Sequence, residues 1–203
     1  MKKILACVLL FASFGVCAGD EVKYSLGLRG WSHTYSASSN TSVQVNSPLI
    51  SGSIKYKDFS FTASTLMQTT YVNTSQSYVM AVRTDTDYAV GYTIYDNVTL
   101  LLGNKTISGP QVNDMVGIFY GVSLAQPIHD QGFIFGTFAR SNSVSNLDAL
   151  TGSGTFNLYD LGYGHIIYKN TSLNIGYRQQ VFTTAANDKY TFSGATFGVG
   201  FNF

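Results

Sequence analysis

Met115-Val116-Gly117-Ile118-Phe119-Tyr120-Gly121-Val122-Ser123-Leu124-Ala125-Gln126 alternates between two kinds of side chain. Val116, Ile118, Tyr120, Val122 and Leu124 fall on one face, and Gly117, Phe119, Gly121, Ser123 and Ala125 on the other. A period of two is the mark of an extended strand with two different faces. The closing stretch repeats it: Ala195, Phe197, Val199, Phe201 and Phe203 oppose Gly194, Thr196, Gly198, Gly200 and Asn202. So does 59–68, where Phe59, Phe61, Ala63, Thr65 and Met67 oppose Ser60, Thr62, Ser64, Leu66 and Gln68. In a soluble sandwich the polar face would meet bulk water and carry many Lys and Glu. Here it carries Gly, Ser and Thr, which suits a crowded interior whose walls approach closely. Apolar outside and small or polar inside is the pattern of a barrel in a membrane.

Composition agrees. Charged residues make up 11% of the 203, against about 25% in soluble domains. With 14 Tyr and 14 Phe, a soluble chain would struggle to cover its surface. Lys2 and Lys3, the apolar run 4–16 and the small-residue site Val16-Cys17-Ala18 read as a secretory leader over 1–18, leaving 19–203 as one barrel domain. Both cysteines, Cys7 and Cys17, lie in that leader, so no disulfide or thiolate metal site is expected in the mature chain. The net charge is +1, falling to near −1 without Lys2 and Lys3, and no basic run exists to capture nucleic acid.

The alternation predicts ten strands, near 22–35, 48–56, 59–69, 79–95, 98–106, 115–126, 132–140, 156–168, 172–181 and 190–203. The connections between them are alternately short (57–58, 96–97, 128–131, 169–171) and long (36–47, 70–78, 107–114, 141–155, 182–189). Short periplasmic turns and longer extracellular loops are what bacterial barrels show. An even count returns both termini to the periplasm; merging or dropping the pair around 79–106 would give eight strands. In lipid an open sheet would leave edge amides and carbonyls unpaired at several kcal/mol each, roughly, so the sheet must close. Tyr56, Tyr92, Tyr163, Tyr177, Phe201 and Phe203 sit near strand ends on the outer face, where aromatic rings occupy the headgroup level.

The C-terminal pattern of Phe197, Val199, Phe201 and the final Phe203 resembles the assembly signal of bacterial outer-membrane barrels. With the leader and the alternation, the chain resembles small barrels of the OmpX, opacity-protein and OmpA-barrel type, whose members usually have eight strands. The resemblance implies outer-membrane location, contact with outer-membrane lipid and lipopolysaccharide, and insertion by the β-barrel assembly machinery with periplasmic chaperones. It transfers no functional residues.

The interior face is read as carrying Arg29, Arg83, Asp85, Asp87, Lys105, Arg140, Asp160 and Arg178, mostly toward the extracellular half. Such charges either pair to plug the barrel or line a path for a small solute. His33, in register with Arg29 and Trp31, could be oriented by Asp85 or Asp87 as a catalytic base. His165 lies on the outer face, with Ile167 where a lipid deacylase would place its partner, and His129 lies in a turn. Nothing completes a catalytic constellation around any of them. Asp85 and Asp87 share a face but are expected to pair with Arg rather than chelate a metal, and no cofactor is implied. The long connections are almost uncharged: 36–47 carries no charge and 141–155 only Asp148. Three functions follow: a non-catalytic structural or surface-interaction barrel, a narrow porin-like channel, or an outer-membrane enzyme acting on lipid.

Overall fold

The computed structural model describes residues 22–37, 42–74, 77–109, 112–145 and 153–203. The leader expected at 1–18 lies outside them. Ten strands follow in chain order: β1 (Val22–Ala37), β2 (Ser42–Tyr56), β3 (Phe59–Thr74), β4 (Ser77–Tyr95), β5 (Val98–Gly109), β6 (Val112–His129), β7 (Gly132–Ser145), β8 (Ser153–Tyr168), β9 (Thr171–Thr184) and β10 (Lys189–Asn202). Each pairs antiparallel with its chain neighbours, and β1 pairs with β10 from Ser25↔Asn202 to Ala37↔Tyr190, so the sheet closes. Reciprocal backbone hydrogen bonds between Tyr24 and Phe203, at 2.9 and 3.0 Å, seal the seam at the termini. The long 79–95 segment lies within one continuous 19-residue strand, β4, which excludes the eight-strand alternative.

The strands run further than the alternation suggested. The connections read as 70–78 and 107–114 shrink to two residues each, because β3, β4, β5 and β6 continue toward one another. Likewise the neutral stretch 36–47 is largely strand, with only 38–41 between β1 and β2, and 141–155 shortens to 146–152. Strands of 12 to 19 residues exceed the roughly 9 to 11 that cross a bilayer.

The surplus length has a different polarity. In the lower part of β9, toward the termini, Leu173, Ile175 and Tyr177 point outward and Ser172, Asn174 and Gly176 inward. Higher on the same strand Gln179 and Thr183 point outward while Gln180 and Phe182 are buried inside. β1 makes the same exchange: Leu28 faces out below, whereas Trp31 and His33 face in above, with Ser32, Thr34 and Ser36 outside. β10 does so between Phe197 and Phe192, and β8 between Leu161 and Phe156. Ile118 and Leu161 are 67% and 65% exposed, which only an apolar surrounding makes tolerable. The lower barrel is therefore a membrane barrel with a lipid-facing belt. The upper barrel is built like a soluble one, with hydroxyl and amide groups outside and an apolar core within. An antiparallel barrel of this kind is an integral protein of the outer membrane, with both strand termini on the periplasmic side.

Small residues let the lower wall pack. Phe135 lies across Gly162 on the neighbouring strand and Phe133 across Gly164, each ring filling the space its partner leaves open. Phe119 and Gly103 form a third such pair between β6 and β5. The two-residue turn after β2 places Lys57 at φ 52°, a left-handed geometry that tight hairpins demand.

Candidate functional site

The upper lumen is filled. Trp31 (0% exposed), Phe156, Phe182 and Phe192 meet there with Leu49, Leu66 and Ile107. Phe182 packs tilted on Phe156 at 4.9 Å between ring centroids and edge-on to Phe192 at 6.1 Å. Aromatic pairs in these arrangements gain beyond their area burial. His33 stacks on Trp31 at 4.0 Å, and its Nδ1 lies 3.3 Å from the Trp31 carbonyl oxygen. Trp31 was legible in the sequence as an inward position beside Arg29 and His33, whereas Phe182 fell in the connection read as 182–189, and alternation cannot say which strands converge on one level.

Two ion-pair clusters lie against this apolar mass. In the first, Arg29 grips Asp160 with two hydrogen bonds, Nη2 to Oδ2 at 2.7 Å and Nη1 to Oδ1 at 3.2 Å. Arg178 Nη1 donates to the same Oδ2 at 3.1 Å. Asp160 and Arg178 face each other directly across β8 and β9, and Arg29 reaches them from β1. In the second, Arg83 chelates Asp85 at 2.6 and 2.8 Å. Lys105 bridges Asp85 at 3.3 Å and Asp87 at 2.9 Å. The Arg83 guanidinium stands 4.9 Å from the ring centres of both Phe182 and Phe192, so the plug is continuous from ion pair to aromatic. Burying these charges is tolerable because every carboxylate has a cation and the cations stack on rings.

Seven of the eight charges expected inside are therefore there, brought into two clusters. Arg140 is the exception and corrects the expectation: it faces outward, its Nε donating to Asn142 Oδ1 at 2.8 Å. Ala139 and Ser141 take the inward positions beside it, and β7 has by this height left the lipid belt, so an outward charge costs little. Asp160, Arg178 and Arg29 mark the level where polarity reverses, and Arg83 of the second cluster lies against the Phe182 and Phe192 rings of the upper lumen.

Asp85 and Asp87, considered as orienting groups for His33, are engaged by Arg83 and Lys105. His129 ends β6 rather than lying in a turn. Its Nε2 is 3.2 Å from the Tyr163 hydroxyl, which is 3.0 Å from His165 Nδ1, forming a chain on the periplasmic rim. Pairing at that rim follows from register between β6, β7 and β8, which spacing along the chain does not reveal. Among the described residues no three His, Cys, Asp or Glu side chains gather as metal ligands. Phe197 and Phe203 of the C-terminal pattern are 63% and 69% exposed on the outer face.

Below the clusters the lumen opens. A cavity of about 350 Å³ reaches the periplasmic end between Ser25, Ser51, Ser123, Ser172, Asn174 and the rings of Phe133 and Phe135. A second, of about 230 Å³, lies above it under Asp160 and Arg178. Both are lined by Arg29, Ser51 and Ser123.

No protein-family model matches the chain and no curated protein matches its sequence. Among solved structures it is similar to Neisserial surface protein A at 15% identity, over 89% of this chain and 97% of that one, with a TM-score of 0.45. The outer membrane protease OmpT of Escherichia coli is 12% identical over 91% and 97%, at 0.44. Ail, the attachment invasion locus protein of Yersinia pestis, is 12% identical over 90% and 99%, at 0.42. Similarities this distant carry nothing about what the chain does; its fold stands on its own strand pairing.

Proposed function

We propose that this chain is a non-catalytic outer-membrane barrel that works as a structural or surface-interaction protein rather than as a channel. The observation that carries the reading is the plug: Trp31, Phe156, Phe182 and Phe192 close the upper lumen, with Arg83 clamped between two of the rings. A solute crossing the barrel would have to separate this packing and strip Asp85 of its partners. The outward surface of the upper barrel supports the second half of the reading. Thr34, Gln44, Asn46 and Ser193 present neutral hydrogen-bonding groups above the membrane on rigid strands, a scaffold suited to contact with another surface. The exposed aromatics Phe197 on β10 and Phe203 just after it support insertion by the β-barrel assembly machinery, and the belt supports direct contact with outer-membrane lipid and lipopolysaccharide.

Purified protein in a planar bilayer tests the reading. We expect no stepwise conductance from the wild type, and no fatty acid release from phospholipid vesicles that carry it. Discrete conductance steps would make it a channel, and acyl release would make it an enzyme; either result rejects the proposal.

A further inference from the structure

Three of the four arginines are held by carboxylates inside the lumen, and Arg140 alone faces outward. It stands at the upper edge of the lipid belt. Phe138, two residues below it on β7, and Tyr159, opposite Phe138 on β8, are exposed aromatics packed at 5.3 Å between ring centroids. Tyr120 on β6 is the direct cross-strand neighbour of Arg140 and is also exposed. The strand is locally irregular here. β7 shifts register against β6 between Gly117 and Tyr120, and against β8 between Ser141 and Val144. Asn142 and Ser143 are therefore exposed in succession before Val144 turns back inside. A bulge of this kind re-aims side chains. Asn142 uses both ends of its amide: Oδ1 accepts from Arg140 Nε at 2.8 Å, and Nδ2 donates to the Tyr120 hydroxyl at 3.2 Å. The guanidinium is thus held by Nε, and its two terminal nitrogens have no partner among the described residues. The Tyr120 oxygen accepts, so its own proton is left to donate. The exposed carboxylate of β6, Asp114, stands six residues beyond Tyr120, about 20 Å along the strand, too far to neutralise Arg140.

From this arrangement we propose that Arg140, Asn142 and Tyr120 form a docking site on the outer wall for a phosphate group of lipopolysaccharide. Both strand termini lie on the periplasmic side, so this edge of the belt meets the outer leaflet, whose lipid is a phosphorylated glycolipid. The terminal nitrogens of Arg140 grip two phosphate oxygens as a fork, and the Tyr120 hydroxyl donates to the phosphate beside them. Acyl chains of the same molecule lie below, against Phe138 and Tyr159. An unneutralised cation directly above aromatic rings matches an amphiphile whose anionic group caps its acyl chains. The inference rests on the reading that the belt contacts lipopolysaccharide, and it adds the place and the groups that hold the lipid.

The test titrates mature protein in neutral detergent micelles with lipid A carrying its phosphates, and with the same lipid dephosphorylated, counting bound lipid by native mass spectrometry. The phosphorylated form is expected to bind at least about tenfold more tightly, the difference that hydrogen bonds to a charged group make. Arg140→Gln is expected to lower its affinity to that of the dephosphorylated form and to leave the latter unchanged. Arg140 is exposed and outside every ion pair, so the variant is expected to fold, which its heat-modifiable band on gels verifies. Lys169→Gln, in the turn after β8 at the periplasmic end, removes the same charge and is expected to bind as the wild type. Inorganic phosphate, which has no acyl chains, is expected not to displace the lipid at equal concentration; displacement would assign the site to the free anion instead. Equal binding of the two lipids, wild-type affinity in folded Arg140→Gln, or an equal loss in Lys169→Gln would each overturn the phosphate site while leaving the belt in contact with lipid. Binding of neither lipid would overturn the contact with lipopolysaccharide as well.

Discussion

The reversal of polarity along each strand makes a quantitative prediction that a single pair of arginine substitutions can test. Ile175 is 59% exposed on the outer face of β9. Its cross-strand neighbours are Tyr163 on β8 and Phe197 on β10, both outward in the belt. It stands four residues above the start of β9, which at about 3.3 Å per residue and a tilt near 40° is about 10 Å into a band about 25 Å tall. Arginine near the bilayer midplane of such barrels costs about 2–4 kcal/mol, a shift of roughly 30- to 1,000-fold in the folding equilibrium. Ser193 also faces outward, but its neighbours are Thr34 on β1 and Gln179 on β9, both polar. Above the belt the same arginine is expected to cost about 0–1 kcal/mol. The assay is urea unfolding from phosphatidylcholine vesicles, followed by Trp31 fluorescence and by the gel shift between folded and unfolded chain. Equal costs for Ile175→Arg and Ser193→Arg, or a larger cost at Ser193, would refute a belt confined to the lower barrel.

Three further outcomes follow from the interior and the seam. Asp160→Asn leaves Arg29 and Arg178 without their carboxylate and is expected to destabilise by about 3–5 kcal/mol in the same unfolding assay, whereas Arg140→Gln, outside, is expected to be close to neutral. At Gly162 a Cβ would overlap the Phe135 ring and stand 2.6 Å from the Ile175 carbonyl oxygen, so Gly162→Ala is expected to cost about 1–3 kcal/mol, recovered in part by a second change, Phe135→Leu. Deleting Phe203 removes the two backbone bonds to Tyr24 and the end of the aromatic pattern; the amount of folded, heat-modifiable barrel recovered from outer membranes is expected to fall.

Much of this was written in the chain. The alternation at 115–126 and 195–203 determined extended strands with two unlike faces, and the low charge content with abundant aromatics determined which face met lipid. Ten strands, their order and their closure followed, because unpaired edges cannot persist in hydrocarbon. These are local or whole-chain properties, so a one-dimensional reading reaches them. What sequence could not decide is how residues far apart along the chain share one height. Arg29 and Asp160 are 131 residues apart and meet only because of register and shear around a closed sheet. The same geometry gathers Trp31, Phe156, Phe182 and Phe192 into a plug, leaves the serines below to line a chamber, and sets the outward Arg140 at a height where its strand has already left the membrane. Alternation assigns a side chain to a face; only the closed barrel assigns it a depth, and depth sets whether its surroundings are lipid, water or core.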